Sequence, residues 1–293
     1  MPLSDFPPVA GVTHREVDVG AVRLHVAEAG EGPPLVLLHG WPQHWWSWRH
    51  LVPRLARTYR VIAPDLRGWG WSSAPPGDYA KATFAADIIA LLDVDGHPRV
   101  RILGHDWGGY VGFLLGLDYP ERVERLVALD IAPPWPGSPR PRQLALPLFA
   151  SYQFLLASPW LGWRTMTAGP KFIRGFIRAG SGSNARWDDK ELDVYAHVLL
   201  EPARARASSA CYRSFLTREA PAALRRGDRS SELSTPTLLA MGEKSGLRRV
   251  LDPQPGPNLR VETIPGAAIS FPRRLQSKCW PSPSPSSPPE APP

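Results

Sequence analysis

Six short apolar runs recur along the chain, and they constrain the fold more than any other feature of the sequence. They lie at residues 34–40 (PLVLLHG), 59–63, 100–103, 123–129, 237–241 and 259–264. A strand that is apolar throughout is buried on both faces, which is typical of parallel sheets. Helical patterns separate the earlier runs, at 45–57, 83–94 and 110–119, and this alternation predicts an α/β fold with a mostly parallel, doubly wound sheet. Before these runs, residues 15–28 alternate apolar and polar around a Gly-Ala pair, which predicts an antiparallel hairpin.

A long interruption separates the fourth run from the fifth. From residue 133 to about residue 231 the sequence shows only helical periodicity, punctuated by glycine and proline. About a hundred residues are too many for a loop, so we expect a helical cap at 133–231, inserted into a core made of 1–132 and 232–266. The last thirteen residues, PSPSPSSPPEAPP, contain seven prolines and four serines, a composition that forms no packed element. We therefore expect an aberrant, disordered tail at 267–293.

The charge, the apolar content and the cysteine count limit which kinds of partner and compartment fit this chain. The chain has 293 residues, 43% of them hydrophobic, and a formal net charge of +7. Its arginines are scattered instead of clustering as a nucleic-acid surface requires, so we expect no nucleic-acid partner. No apolar stretch approaches transmembrane length and no secretory signal is visible, so we expect no membrane association. The two cysteines, Cys211 and Cys279, lie far apart, which argues against a disulfide framework and favours the cytoplasm.

The hexapeptide GHDWGG at 104–109 follows one apolar run and opens a helical pattern. A strand, a sharp turn flanked by glycines and a helix form a nucleophile elbow, which holds one side chain in a strained turn above the sheet. Serine is usual at the centre, but here Asp106 occupies it. A carboxylate can attack a strained or halogenated carbon to form an alkyl ester, and a helix N-terminus favours its ionised form. The alternative is that Asp106 is only a helix N-cap.

A second motif, HGWP at 39–42, follows the apolar run that begins at residue 34. In elbow-type hydrolases the second oxyanion donor is a backbone N–H at this place. We therefore predict an oxyanion hole formed by the amides of Trp41 and Trp107. Taken alone, HGWP could equally be a turn that ends a strand.

The segments HGWPQHWWSWR, APDLRGWGWSSAPP, GHDWGG and YPERVERLVAL resemble those of the α/β-hydrolases with an aspartate nucleophile. This group includes the epoxide hydrolases and, close to them, the haloalkane and haloacetate dehalogenases. The resemblance covers roughly residues 10–265. It implies an α/β-hydrolase fold and a small apolar epoxide or halogenated substrate that reacts with water, without a metal or an organic cofactor. It also implies that nucleophile, cap, acid and histidine follow one another in the chain.

Two tyrosines in the cap favour the epoxide branch. Epoxide hydrolases carry a Tyr-Gln pair early in the cap and a Tyr-Arg pair late in it, and the two phenols assist ring opening. This sequence has Tyr152-Gln153 and Tyr212-Arg213; the alternative is that both tyrosines only pack on amphipathic helices. A dehalogenase would need two donors for its halide. Trp107 could be one, but none of the cap tryptophans can be assigned as the second from sequence; these are Trp135, Trp160, Trp163 and Trp187.

The acid and the histidine depart from the family pattern. Relatives commonly carry aspartate where this chain has Ser245, and serine cannot replace it. The strand end LVALD places Asp130 at the alternative acid position, although it could also be a simple turn residue. Glu243 and Asp252 are weaker candidates for the acid.

All eight histidines precede the run at 237–241, whereas the family's general base follows the last strand. Where relatives read G-x-G-H-x-x-P-E-E, residues 266–280 read GAAISFPRRLQSKCW. A single-base deletion near Ala268 would explain this difference, because one restored base gives GAGHLLPEEAPEQVL, with histidine in place of Ile269. The final helix over the sheet would then be lost. We therefore expect an epoxide hydrolase-like protein with impaired turnover; the alternatives are a dehalogenase and a non-catalytic or decayed member of the family.

Overall fold

Eight strands form one sheet. They are β1 Thr13–Asp18, β2 Arg23–Ala29, β3 Pro34–Leu38, β4 Arg60–Pro64, β5 Val100–His105, β6 Val123–Leu129, β7 Thr237–Gly242 and β8 Leu259–Ile264. The sheet order is β1-β2-β4-β3-β5-β6-β7-β8. β2 pairs antiparallel with both β1 and β4, and the other five pairs are parallel. The mostly parallel sheet and the hairpin before it are thus confirmed.

The computed structural model describes residues 6–135, 151–181, 186–250 and 253–266, with 249–250 described by their backbone only. Its α-helices are α1 Val52–Leu55, α2 Lys81–Val94, α3 Trp107–Asp118, α4 Ser151–Ala157, α5 Leu161–Thr167, α6 Pro170–Ser181, α7 Asp189–Val198, α8 Pro202–Ser214, α9 Ala220–Arg226 and α10 Gly246–Val250. A π-helical turn, Phe215–Glu219, joins α8 to α9. None of the helices within these ranges is long and apolar enough to cross a bilayer.

Both faces of β3 are buried, which explains why its sequence is apolar without alternation. In β3, Leu35 and Leu37 belong to one hydrophobic cluster, whereas Val36 and Leu38 belong to the cluster on the opposite face. All four side chains are completely buried. Apolar burial of this kind is the dominant favourable contribution to folding, and it fixes which ends of the strands meet above the sheet.

One predicted helix is wrong in detail. The pattern at 45–57 predicts a single helix, but the structure has a 3-10 helix at Trp45–Trp48 and then the short helix α1. Pro53 lies in the first turn of α1. Proline has no amide hydrogen and its ring clashes with the preceding turn, so it begins a helix readily but does not continue one.

The insertion between β6 and β7 is helical, as predicted. Helices α4 to α9 lie in it, and no strand occurs among its described residues. It is hydrogen-bonded to the core: Arg49 Nη1 donates to the Tyr195 hydroxyl at 2.9 Å, and Trp69 Nε1 donates to Ser208 Oγ at 2.9 Å. The limits 133–231 remain a prediction, because 136–150 and 182–185 lie outside the described residues. The predicted tail at 267–293, including the loss of a final helix, lies outside them as well.

The close approach of α3 to β3 gives a first testable prediction. A Cβ atom at Gly108 would lie 2.1 Å from the carbonyl oxygen of Leu38, and neither backbone can yield easily. Gly108→Ala should therefore lower the free energy of unfolding by about 2–3 kcal/mol in urea denaturation. Gly175 in α6 is the control, because its Cβ would meet nothing within 4 Å, so Gly175→Ala should raise stability by about 0.5–1 kcal/mol. Equal effects of the two changes would contradict this account.

Candidate active site

Asp106 stands in a strained turn between β5 and α3. Its φ of 52° is unfavourable for any residue with a side chain, and such strain persists only where the surroundings impose it. Asp106 occupies the N-cap position of α3 but makes no helix-capping hydrogen bond. Instead, the amide of Trp41 donates to Asp106 Oδ1 at 3.0 Å. This geometry favours the elbow over the simple N-cap.

The sheet order explains why Trp41 and Asp106 meet. The chain runs from β3 to β4 on one side and later returns to β5 on the other side of β3. Ligands of open α/β sheets bind at such a switch point, beyond the carboxyl ends of the strands. Gly40 permits the contact, because a Cβ there would lie 2.3 Å from the Cβ of Asp106.

The surroundings of Asp106 act on its ionisation in opposite directions. Desolvation dominates and raises the pKa of Asp106 to about 7, while hydrogen bonds from the Trp107 and Trp41 amides lower it. Two charges also act on the carboxyl: Asp130 raises the pKa of Asp106 and Lys81 lowers it. The two amides predicted as oxyanion donors therefore both reach the Asp106 carboxylate in the resting protein.

Aromatic side chains surround the space in front of Asp106. The Tyr212 ring lies 5.4 Å from the Trp41 ring, 5.6 Å from the Trp107 ring and 6.0 Å from the Tyr152 ring, between centroids. Phe176 of α6 lies 4.8 Å from Trp41 and 5.0 Å from Tyr152. These five rings form the aromatic wall of the site. An aromatic lining of this kind suits an apolar ligand.

The structure brings Tyr152 of α4 and Tyr212 of α8 together on the same side of Asp106. Burial raises the pKa of Tyr152 to about 12, and it raises that of Tyr212 well above its ordinary value. The charge on Asp106 raises both pKa values further. Both phenols therefore stay protonated at neutral pH and can donate hydrogen bonds.

The residues that follow these tyrosines have structural contacts of their own. Gln153 Nε2 donates to the Tyr152 hydroxyl at 3.4 Å. Arg213 Nε donates to the carbonyl oxygen of Ala157 at 3.0 Å, which ties α8 to the end of α4. Arg213 thus links two cap helices, whereas Gln153 contacts the phenol beside it.

Asp130 lies directly after β6 with a φ of 48°. Its amide donates to the Ala240 carbonyl at 2.9 Å, and its Oδ1 accepts from the Gly242 amide at 3.3 Å. The residue is buried, and its charge raises the pKa of Asp106. Asp130 therefore lies at the carboxyl end of the sheet, near the nucleophile candidate. The chain around Ala268, which Asp130 is predicted to face, lies outside the described residues.

The other candidate acids are placed less favourably. Glu243 is exposed, and its Oε2 accepts from the Gly266 amide at 2.7 Å. Ser245 is completely buried, and its hydroxyl side chain cannot serve as the acid. Asp252 lies outside the described residues.

Histidines close to the site are committed to other contacts. His39 Nε2 accepts from the Leu66 amide at 3.0 Å, and its Nδ1 lies 3.2 Å from the Gly40 carbonyl. Burial lowers the pKa of His44 and of His105 to about 3 in each case. His197 is exposed on the cap, with Nδ1 2.9 Å from the Asp193 carbonyl.

In the described ranges, no group of three or more histidine, cysteine or acidic side chains is arranged to hold a metal ion.

Sequence reasoning missed three residues of this site. Phe176 and Phe215 contribute rings, and Phe215 lies 4.8 Å from Trp107 between centroids. Lys81 is completely buried behind Trp107. No local signal distinguishes them, because a phenylalanine in an amphipathic helix and a lysine at a helix start are both ordinary.

The raised pKa of Asp106 predicts a pH-dependent cost to stability. The ordinary pKa is 3.8 and the folded value is about 7, so the folded state resists ionisation. Stability is unaffected below about pH 4 and falls as the pH rises towards 7. Asp106→Asn should therefore match the wild type near pH 4 and exceed its free energy of unfolding by roughly 2–4 kcal/mol at pH 8. Urea denaturation across pH 4–9 measures this.

The exposed Asp18→Asn is the matched control for that prediction, because it also removes one negative charge. If the advantage of Asp106→Asn does not depend on pH, the desolvation argument is wrong.

Comparisons with known proteins identify the family and agree with the fold. The family model described as "alpha/beta hydrolase fold" matches residues 33–247. A fluoroacetate dehalogenase of Burkholderia sp. is 31% identical over 268 residues, which cover 87% of this chain and 88% of that protein. The soluble epoxide hydrolase of Corynebacterium sp. (strain C12) is 47% identical over 122 residues, or 42% of this chain. The matched segment spans 43% of that relative, less than half of its length.

Among solved structures, the epoxide hydrolase CorEH without ligand superposes with a TM-score of 0.78 and 28% identity. The superposition covers 89% of this chain and 92% of CorEH. Fold, elbow and insertion agree with the family match, which extends over most of the chain. The chain therefore belongs to the α/β-hydrolase-fold family, in the branch of the epoxide hydrolases and the fluoroacetate dehalogenase.

Proposed function

We propose that this chain opens small apolar epoxides by forming an ester on Asp106. One observation carries the proposal: the rings of Tyr152 and Tyr212 lie 6.0 Å apart between centroids, and the pKa of each phenol is raised by burial and by the charge on Asp106. An epoxide needs a nucleophile on carbon and an acid on oxygen at the same time. A carboxylate facing two phenols supplies both.

In the first step, an ionised oxygen of Asp106 attacks an epoxide carbon, and the carbon–oxygen bond of the ring breaks. The electron pair of that bond moves to the epoxide oxygen, which takes a proton from Tyr152 or Tyr212. The product is a hydroxyalkyl ester of Asp106. General acid assistance of this kind typically contributes about a hundred- to ten-thousand-fold.

In the second step, water adds to the ester carbonyl, the bond from the carbonyl carbon to the alkyl oxygen breaks, and the diol leaves. The Asp106 carboxylate is restored, and the proton that water releases returns to the tyrosine that donated one in the first step. The amides of Trp41 and Trp107 would hold the negative oxygen of the tetrahedral intermediate, since they already reach the carboxylate in the resting state. Asp130 would orient the general base. We propose that this base is the histidine that the restored reading frame supplies in place of Ile269, and that the sequence as it stands is therefore impaired in the second step.

Dehalogenation is the second candidate, favoured by the 31% identity with the fluoroacetate dehalogenase. One observation counts against it. A haloacetate would need a cation for its carboxylate. Lys81, the cation that acts on the pKa of Asp106, lies behind the Trp107 ring and is paired with Glu219.

The proposal predicts a trapped intermediate. Incubation with an aryl epoxide should add one substrate mass to the protein, and peptide mapping should place it in GHDWGG at 104–109. Asp106→Asn should form no adduct, because the amide is not a nucleophile. Tyr152→Phe and Tyr212→Phe should slow adduct formation at least about tenfold each.

Tyr119→Phe is the control, since Tyr119 lies at the opposite end of α3 from Asp106. Fluoride release from fluoroacetate, with no adduct from epoxides, would decide for dehalogenation. Neither reaction would indicate a non-catalytic protein.

The second step has its own test. A variant in which residues 266–280 read GAGHLLPEEAPEQVL should release diol and accumulate little ester, because a positioned base accelerates hydrolysis about a hundredfold or more. Steady-state diol formation, compared with the wild type, measures this gain. Repeated turnover by the wild type without an adduct would mean that another group acts as the base.

A further inference from the structure

A buried ion pair lies behind the aromatic wall. Lys81 is the first residue of α2, and its side chain is completely buried. Its Nζ lies 2.6 Å from Glu219 Oε2 and donates to the Cys211 carbonyl at 3.0 Å. Glu219 Oε1 also accepts from the Lys81 amide at 2.8 Å. One carboxylate therefore binds both the backbone and the side chain of the same lysine.

The Lys81 ammonium also faces the nucleophile turn. It lies 4.5 Å from the centroid of the Trp107 ring and 5.2 Å from that of Phe215. A desolvated cation over an indole face is attracted by the ring quadrupole. The contact therefore fixes Trp107, the residue that follows Asp106 in the chain.

Two cap elements that carry site residues, α8 and the π-helical turn, converge on this ammonium. Cys211 immediately precedes Tyr212 in α8, and Phe215 and Glu219 are the two ends of the π-helical turn that follows. π-Helical turns occur frequently at functional sites. Lys81 belongs to the core, so its contacts tie the cap helix of Tyr212 to the core beside the elbow.

We propose that Lys81 is a positioning residue for the nucleophile: it fixes the Trp107 ring between core and cap, and it places a positive charge behind Asp106 that favours the carboxylate. This role of Lys81 depends on the proposed function in one respect: ionised Asp106 is the group that attacks the substrate. A purely structural ion pair would be a weak reason to bury a lysine, because desolvation offsets much of the attraction.

The charges that face the two groups can be named. Asp106 is faced by Asp130 after β6, by the two tyrosines of α4 and α8 and by Lys81 of α2. The charge on Lys81 lowers the pKa of Asp106, against desolvation and Asp130, which raise it.

Lys81 itself is faced by Glu219 of the π-helical turn and by Cys211 of α8, whose thiol has a pKa raised to about 12 by burial. Tyr110 of α3 lies nearby, and its pKa is raised by burial and, to a smaller extent, by the charge on Glu219. Cys211 and Tyr110 therefore stay neutral at physiological pH, and Lys81 and Glu219 are the charges of this cluster.

The test measures the ionisation of Asp106 in two ways. The first is the midpoint of Asp106 ionisation in the folded protein, read from the pH at which the stability gain from Asp106→Asn levels off, which needs no chemistry. The second is the midpoint of the pH dependence of the rate of adduct formation with an aryl epoxide. Lys81→Met is combined with Glu219→Gln, so that no buried charge is left unpaired. We expect both midpoints to rise by about one pH unit, so adduct formation should slow about fivefold at pH 7 and remain nearly unchanged at pH 9.

Lys81→Arg keeps the charge, so it should leave both midpoints in place even if the larger side chain lowers stability. Lys171→Met, on the exposed surface of α6, is the control for loss of one surface cation. A double variant that loses stability without a shift of either midpoint would overturn the proposal and leave Lys81 a structural residue. If the wild type forms no adduct, the proposed function fails, and the stability midpoints still decide the role of Lys81.

Discussion

The site depends on one packing constraint, the close approach of the β5–α3 turn to the end of β3. Gly108 lies against the Leu38 carbonyl and Gly40 lies against the Cβ of Asp106, both at distances that exclude a side chain. This approach imposes the positive φ of Asp106 and puts its carboxylate within reach of the Trp41 amide. Strain in the turn is maintained by the fully buried strands on either side, so the stability of the sheet supports the geometry of the site.

The same packing creates an electrostatic conflict. Desolvation opposes the negative charge on Asp106, while two amides and Lys81 favour it. The outcome is a pKa of about 7, at which about half of the molecules carry the ionised group at neutral pH. Perturbed values of this kind cluster at functional sites. A single change in the balance, such as loss of the cation, would alter the population of the reactive form.

The helical insertion completes what the core begins. Tyr152 and Tyr212 come from two cap helices; their rings contact each other, and the Tyr212 ring also contacts Trp41 of the HGWP segment. Without the cap, Asp106 would face solvent, and neither its raised pKa nor the phenolic donors would exist. The ion pair of Lys81 and Glu219 spans the same boundary, so that core and cap share one site.

The sequence by itself determined the sheet, the elbow and the candidate residues, because hydrophobic periodicity and the glycines around Asp106 are local properties of the chain. It also identified the helical insertion from its length and its periodicity. Only the tertiary structure decided which residues surround Asp106. Lys81 and Glu219 are 138 residues apart, and neither carries a local sign of burial. Proline at 53 divided a helix that periodicity alone had joined. Burial and electrostatic coupling arise from contacts between distant segments, and a pattern within one segment cannot encode them.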